Sequence, residues 1–313
     1  MISHKRLIAV GSMLDNGLSM EKIARLLKLK MSTIERYARH IFNDSGKGGA
    51  KKEPKHSAPK ILLFDIETLP MEVYVWGLYK QKIPMDNIIK DWSIVSWSAK
   101  WLFSPHIYSG VVSPTEAMER NDKSIMLGIF NLFESANIIV GHNCNRFDIR
   151  KLNARWIVNG YPPPSPYKVV DTLKVSQKRF AFSSHKLDYL VNLLCDTNKL
   201  KTEYSLWKRC CNGDDKALRY MEKYNKRDVR ILEDLYVELI PWLGILPSYG
   251  LYGDCKENMC PHCGGSDLDF NITPYYTTAG RFKAFRCTTC MSIGRSRISD
   301  LTKEDRESLL LSI

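Results

Sequence analysis

Four apolar residues in a row, Ile61-Leu62-Leu63-Phe64, run straight into Asp65-Ile66-Glu67. An apolar run of this length reads as a strand buried on both faces. Side chains at i and i+2 share one face of a strand, so Asp65 and Glu67 are expected side by side at its end, on the rim of a core. Two carboxylates so placed repel and take up protons unless positive charge offsets them. A lone pair of this kind is more often a solvated strand end, so the weight falls on what the rest of the chain adds.

Two further motifs add to it. Gly141-His142-Asn143 leads to Phe147-Asp148, and Tyr224-Asn225-Lys226-Arg227-Asp228 follows later. Ile138-Ile139-Val140 reads as a short buried strand, and a helix is expected from Asp148 to Asn159, where a carboxylate is also a good cap. Asp228 is expected on a helix with Tyr224 one turn earlier on the same face. Each motif alone has a bland reading: a cap, or an exposed acid on an amphipathic helix. Further strand-like runs lie within residues 88–103 and at Val169-Val170-Asp171. Helices are expected at 123–136 and through most of 185–239. Alternating strands and helices argue an α/β domain over residues 60–240 with a mixed central sheet flanked by helices. Carboxylates gathered from several elements suit Mg²⁺, which takes a few of them with water and substrate phosphate.

Taken together, the three motifs resemble those of DEDDy 3′–5′ exonucleases in the ribonuclease H-like superfamily. Asn143 with Phe147-Asp148 is most similar to the proofreading domain of family-B DNA polymerases. Trp76-Gly77-Leu78, Asp91-Trp92 and the stretch Trp97 to Trp101 resemble phage-encoded, stand-alone members. The resemblance covers residues 60–240. It implies hydrolysis of DNA from the 3′ end with two Mg²⁺ or Mn²⁺ ions, releasing nucleoside 5′-monophosphates. It further implies that Asp65 bridges both ions, that Glu67 and Asp228 hold the ion activating water, that Asp148 supports the other, and that Tyr224 orients the water. Asn143 and Phe147 correspond to positions beside the terminal nucleotide, although Phe147 reads equally well as core. Two alternatives stay open: a 3′–5′ exoribonuclease, and a non-catalytic DNA-binding regulator built on a nuclease scaffold.

The flanks carry separate modules. Residues 3–42 read as short helices, and 1–42 resembles a helix-turn-helix, with Ser32, Thr33, Arg36 and Arg39 as exposed candidates for the major groove. A helical hairpin without DNA contacts is the alternative. Residues 43–59 are rich in Gly, Pro and Lys and read as a flexible basic linker. Cys260-Pro-His-Cys263 and Cys287-Thr-Thr-Cys290 are two C-x₂-C pairs separated by a hairpin-like segment. Four thiolates at that spacing suit one structural Zn²⁺, so residues 254–297 resemble a zinc ribbon. His262 and Cys255 are spare candidates, and a short tail helix is expected within 298–313.

Charge fits a polyanionic partner. Residues 1–59 carry 12 basic and 5 acidic residues, 60–240 carry 26 and 21, and 241–313 carry 8 and 8, so the +12 total sits in the first two segments. DNA is favoured over RNA as that partner. The first 30 residues are charged and lack a continuous apolar stretch, and nothing approaches the roughly 20 apolar residues that a membrane span needs. A reducing, intracellular, cytoplasmic setting is expected, in a bacterial host if the phage likeness holds.

Overall fold

The computed structural model describes residues 10, 19–26, 34, 58–195, 197, 200, 202–244, 246–253 and 257–311. The chain divides into two compact units, Lys60–Glu238 and a second formed by Met1–Pro59 with Leu239–Ile313. In the second unit, α1 (Met20–Leu26) begins after Ser19, whose Oγ accepts from the Lys22 amide, and Val10, Ile23 and Ile34 are fully buried. The remainder of the expected helix-turn-helix, including Ser32, Thr33, Arg36 and Arg39, lies outside the described residues, as does most of the 43–59 segment.

The central unit holds β1 (Ile61–Leu69), β2 (Glu72–Val73), β3 (Ile88–Lys90), β4 (Ser93–Trp101) and β5 (Tyr108–Val111). These are followed by α2 (Pro114–Glu119), α3 (Lys123–Glu134), β6 (Ile138–Gly141), α4 (Asp148–Val158) and β7 (Lys168–Asp171). Then come α5 (Thr172–Arg179), α6 (Leu187–Leu194), α7 (Tyr204–Cys211) and α8 (Asp215–Leu239). The main sheet runs β5-β4-β1-β6-β7, antiparallel from β5 to β1 and parallel from β1 to β7. This is the mixed sheet with flanking helices that the alternating pattern implied.

The two faces of β1 and β4 differ in chemistry. Leu62, Phe64 and Ile66, with Val95, Trp97 and Ala99 of β4, belong to one apolar cluster that includes Met126, Ile129, Phe133, Leu152 and Trp156 of α3 and α4. Phe64 meets Phe133 edge-on at 4.9 Å, and Phe133 meets Trp156 at 5.1 Å. The other face of these strands carries Asp65 and Glu67 opposite Ser98 and Ser96, and then Lys100. Here α8 supplies polar partners. Asn225 bonds Asp65 and Ser96, Glu222 takes the Ser109 hydroxyl at 2.7 Å, and Glu233 pairs with Lys100.

One sequence expectation needs correcting. Asp65 and Glu67 do not end their strand: β1 continues to Leu69, with a register shift between Glu67 and Thr68. The reason is packing. Ile66 and Leu69 are buried, and the bulge restores Leu69 to the interior after the two acids.

Asp122 ties three elements together. It is fully buried beside the start of α3, accepts from the Ile94 amide at 3.0 Å, and holds the Arg155 guanidinium of α4 through Nε at 2.7 Å and Nη2 at 2.8 Å. Removing one partner of a buried pair strands the other. Asp122→Ala is therefore expected to cost about 3–5 kcal/mol of unfolding free energy. Urea denaturation checks this; a loss under about 1 kcal/mol would mean the pair behaves like a surface contact.

Candidate active site and metal centre

Sheet topology explains where the acids meet. The strand β6 pairs with β1 only from Ile61 to Leu63 and ends at Gly141. Past that point the edge of β1 lacks a strand partner on this side, and Asp148 takes over: its Oδ1 accepts the Ile66 amide at 3.3 Å. Between β6 and α4 the chain turns sharply. A Cβ on Gly141 would stand 2.4 Å from the Cys144 Cβ, so the close approach requires glycine. Asn143 adopts φ 63°, a left-handed conformation that Asn tolerates better than most residues.

Asp171 fixes this turn. Its carboxylate caps α5 by accepting from Leu173 and Lys174, and also accepts from the amides of Asn143 at 2.9 Å and Asn145 at 3.2 Å. Four amides thus converge on one buried carboxylate. In the sequence Asp171 reads as a strand or turn residue, with support of the site as the alternative; its second set of partners, 28 residues away along the chain, has no local signal.

Asp65, Glu67 and Asp228 each offer a carboxylate oxygen, and the three oxygens lie within 4.8 Å of one another. Asn225, fully buried on α8, donates its Nδ2 to Asp65 Oδ2 at 2.6 Å while its carbonyl oxygen receives Ser96 Oγ at 3.4 Å. The third motif therefore contributes an orienting amide as well as an acid. Asn225 sits inside that motif, but its role depends on which strand the helix covers. Hard oxygen donors in this number suit Mg²⁺ or Mn²⁺. Asp148 stands outside this trio, and burial pushes its carboxyl up to about 7, with a further contribution from the charge of Asp171.

A cleft of about 750 Å³ opens over these groups, lined by Asp65, Glu67, Asp148 and Asp228 and also by Ser184, His185 and Lys186. Asn143 and Phe147 also line it; Phe147 is 40% exposed and so stands at the wall rather than in the core. His142 borders the cleft, with Nδ1 2.9 Å from Thr172 Oγ1. Tyr224 is buried, one turn before Asp228, and meets Trp207 of α7 edge-on at 6.2 Å. Cys144 is buried behind the turn, and desolvation drives its thiol well above the ordinary range. That makes it a packing residue.

In the second unit, β8 (Leu268–Asp269), β9 (Tyr275–Thr277), β10 (Gly280–Phe282), β11 (Ala284–Cys287) and β12 (Ile293–Arg295) form two small sheets, followed by α9 (Lys303–Glu307) capped by Thr302. Both C-x₂-C pairs make the same turn. Gly264 donates to the Cys260 carbonyl and Met291 to the Cys287 carbonyl, each at 2.9 Å, and both residues have positive φ. The four sulfurs converge, with Cys260 and Cys290 Sγ 3.5 Å apart and Cys263 and Cys287 Sγ 3.7 Å apart. Sulfurs about 2.3 Å from a tetrahedral Zn²⁺ would be about 3.8 Å from each other, so the donor set fits that ion. His262 is held by Ser292 Oγ and the Gly244 carbonyl, and Cys255 lies outside the described residues.

Residues 101–240 match the family model RNase_H_2, described as RNase_H superfamily. The match covers most of the central unit, whose mixed sheet with flanking helices is consistent with a ribonuclease H-like fold. A solved family B DNA polymerase from the hyperthermophilic archaeon Pyrobaculum calidifontis is similar at 18% identity and a TM-score of 0.44, over 59% of this chain and 25% of the polymerase. The chain thus spans about a quarter of that polymerase's length. No curated protein matches the sequence. Among the described residues, no helix is long and apolar enough to cross a membrane.

The raised carboxyl of Asp148 makes stability depend on pH. In the folded, ion-free protein this group keeps its proton up to about pH 7, whereas the unfolded chain loses it near pH 4. The folded state binds more protons across that interval, so stability from this group is full below about pH 4 and lost as pH rises through about 7. Asp148→Asn should flatten that fall. Melting temperatures across the interval, without added Mg²⁺ or Mn²⁺, test it; a difference between wild type and variant that is constant with pH would contradict the assignment.

Proposed function

We propose that this chain is a metal-dependent 3′–5′ exonuclease that hydrolyses DNA and releases nucleoside 5′-monophosphates. The observation that carries the reading is the convergence of Asp65, Glu67 and Asp228 within 4.8 Å at the floor of an open cleft, with buried Asp148 beside them. On this reading Asp65, Glu67, Asp148 and Asp228 would hold the Mg²⁺ or Mn²⁺ ions that the reaction needs. When bound, the ions supply positive charge to the reacting phosphate and lower the pKa of water. The chain's own residues do the positioning. Asn225 holds the Asp65 carboxylate in place, so that group would meet an ion already oriented. Asp171 holds the turn that presents Asn143 and Phe147 to the terminal nucleotide. Tyr224, on the same helix face as Asp228, orients the attacking water.

The flanking modules assist capture. The four cysteines 260, 263, 287 and 290 hold one structural Zn²⁺, and the 1–42 module binds duplex DNA through Ser32, Thr33, Arg36 and Arg39.

End-labelled single- and double-stranded DNA and RNA, incubated with Mg²⁺ or Mn²⁺, test the central claim. Wild type should shorten DNA from its 3′ end, and Asp65→Ala should lower the rate by at least about a hundredfold, since one lost ligand of a catalytic ion costs several kcal/mol. Degradation of RNA alone would make the enzyme an exoribonuclease. Equal inactivity of both proteins, with tight duplex binding, would point to a regulator instead.

For the ribbon, the purified protein should carry close to one equivalent of zinc, lost in Cys260→Ser with unfolding of that module. Folded, metal-free wild type would sink the zinc assignment.

A further inference from the structure

The most exposed aromatic surface among the described residues lies on the excursion between β2 and β3. Trp76 is 98% exposed, Tyr79 85% and Tyr74 73%, and the exposed Lys80 and Lys82 follow directly. The base of this excursion is well held. The strands β2 and β3 pair, Tyr74 donates its amide to the Asn87 carbonyl at 2.9 Å, and the Asn87 side chain returns a bond to the Tyr74 carbonyl at 3.1 Å. Side chains on such a base meet water because nothing in their own unit covers them. So much aromatic area exposed at once marks a binding surface.

A second set of rings and cations stands at the cleft, close in sequence to the end of β3. The chain passes from β3 through Asp91 to Trp92, and the Lys151 ammonium sits 3.6 Å from the centre of the Trp92 ring. The same ammonium is 5.1 Å from the ring of Phe147, which lines the cleft beside the carboxylates. Phe147, Lys151 and Trp92 thus set ring, cation and ring in succession beside the active site. Successive bases stack on aromatic faces while cations meet the phosphates between them. A protein partner fits less well, because lysines are depleted from the buried cores of protein interfaces.

We propose that Trp76 and Tyr79, with Lys80 and Lys82, form a secondary binding platform for the single strand leading into the cleft, reached over Phe147, Lys151 and Trp92. The proposal rests on the nuclease reading for its direction. The platform's chemistry suits any single-stranded polynucleotide. It engages the strand several nucleotides from the reacting end, so it governs affinity for long strands and processivity.

The test uses the full chain and the double variant Trp76→Ala/Tyr79→Ala, whose exposed positions leave the core intact. Binding of labelled single-stranded DNA and RNA of about 4 and about 12 nucleotides is measured without Mg²⁺ or Mn²⁺, and cleavage with Mg²⁺. The variant should bind the long strand at least about tenfold more weakly and the short one as wild type does. Lys80→Ala/Lys82→Ala should lessen the salt dependence of long-strand binding. Unchanged long-strand binding in the aromatic variant would overturn the platform and leave that surface to a protein partner. Equal weakening at both lengths would overturn it too, by placing the effect in the cleft. If wild type cleaves nothing but the length-dependent loss persists, the nuclease reading falls and the platform stands. The DNA and RNA arms report which strand it holds.

Discussion

Three carboxylates held within 4.8 Å repel, and the central unit is arranged around holding them there. Two come from one strand and cannot separate without breaking its ladder to β4. The third comes from α8, which is pinned to the same sheet face by Asn225, Glu222 and Glu233. Carboxylates held this close together would favour a divalent cation between them. Asp148 differs: burial keeps its proton on until the pH rises.

The division of labour between the sheet faces follows from this. One face closes on α3 and α4 with aromatic and aliphatic contacts and supplies the apolar burial on which folding depends. The opposite face gives up some of that apolar area for serines, a lysine and acids, and α8 answers with an amide and carboxylates of its own. Polar docking of a helix is directional where apolar docking is not. It fixes α8 in register and along its axis, and that register decides whether Asp228 meets Asp65 and Glu67.

The cysteine module solves a different problem. Its sheets have strands of two to four residues and bury little. Two similar turns bring four sulfurs together at a spacing where one bound ion would replace the core that the segment is too short to build.

Much of this was legible in the sequence. The apolar runs at 61–64 and 138–140 mark strands, and helices are expected at Asp148 and Asp228, where the structure has them. The C-x₂-C spacing gave the sulfur cluster, since ligand geometry over three residues is a local property. The bulge after Glu67 escaped, because it depends on where the strand must return a leucine to the core. The further partners of Asp171 and the grip of Asn225 on Asp65 escaped as well, because each joins residues far apart in the chain. The sequence by itself determined which side chains could bind ions and on which elements they ride. The tertiary structure alone decided that three of those carboxylates face one another and that Asp148 is buried beside them. Separation between elements is set by packing and long-range hydrogen bonds, and no local pattern encodes either.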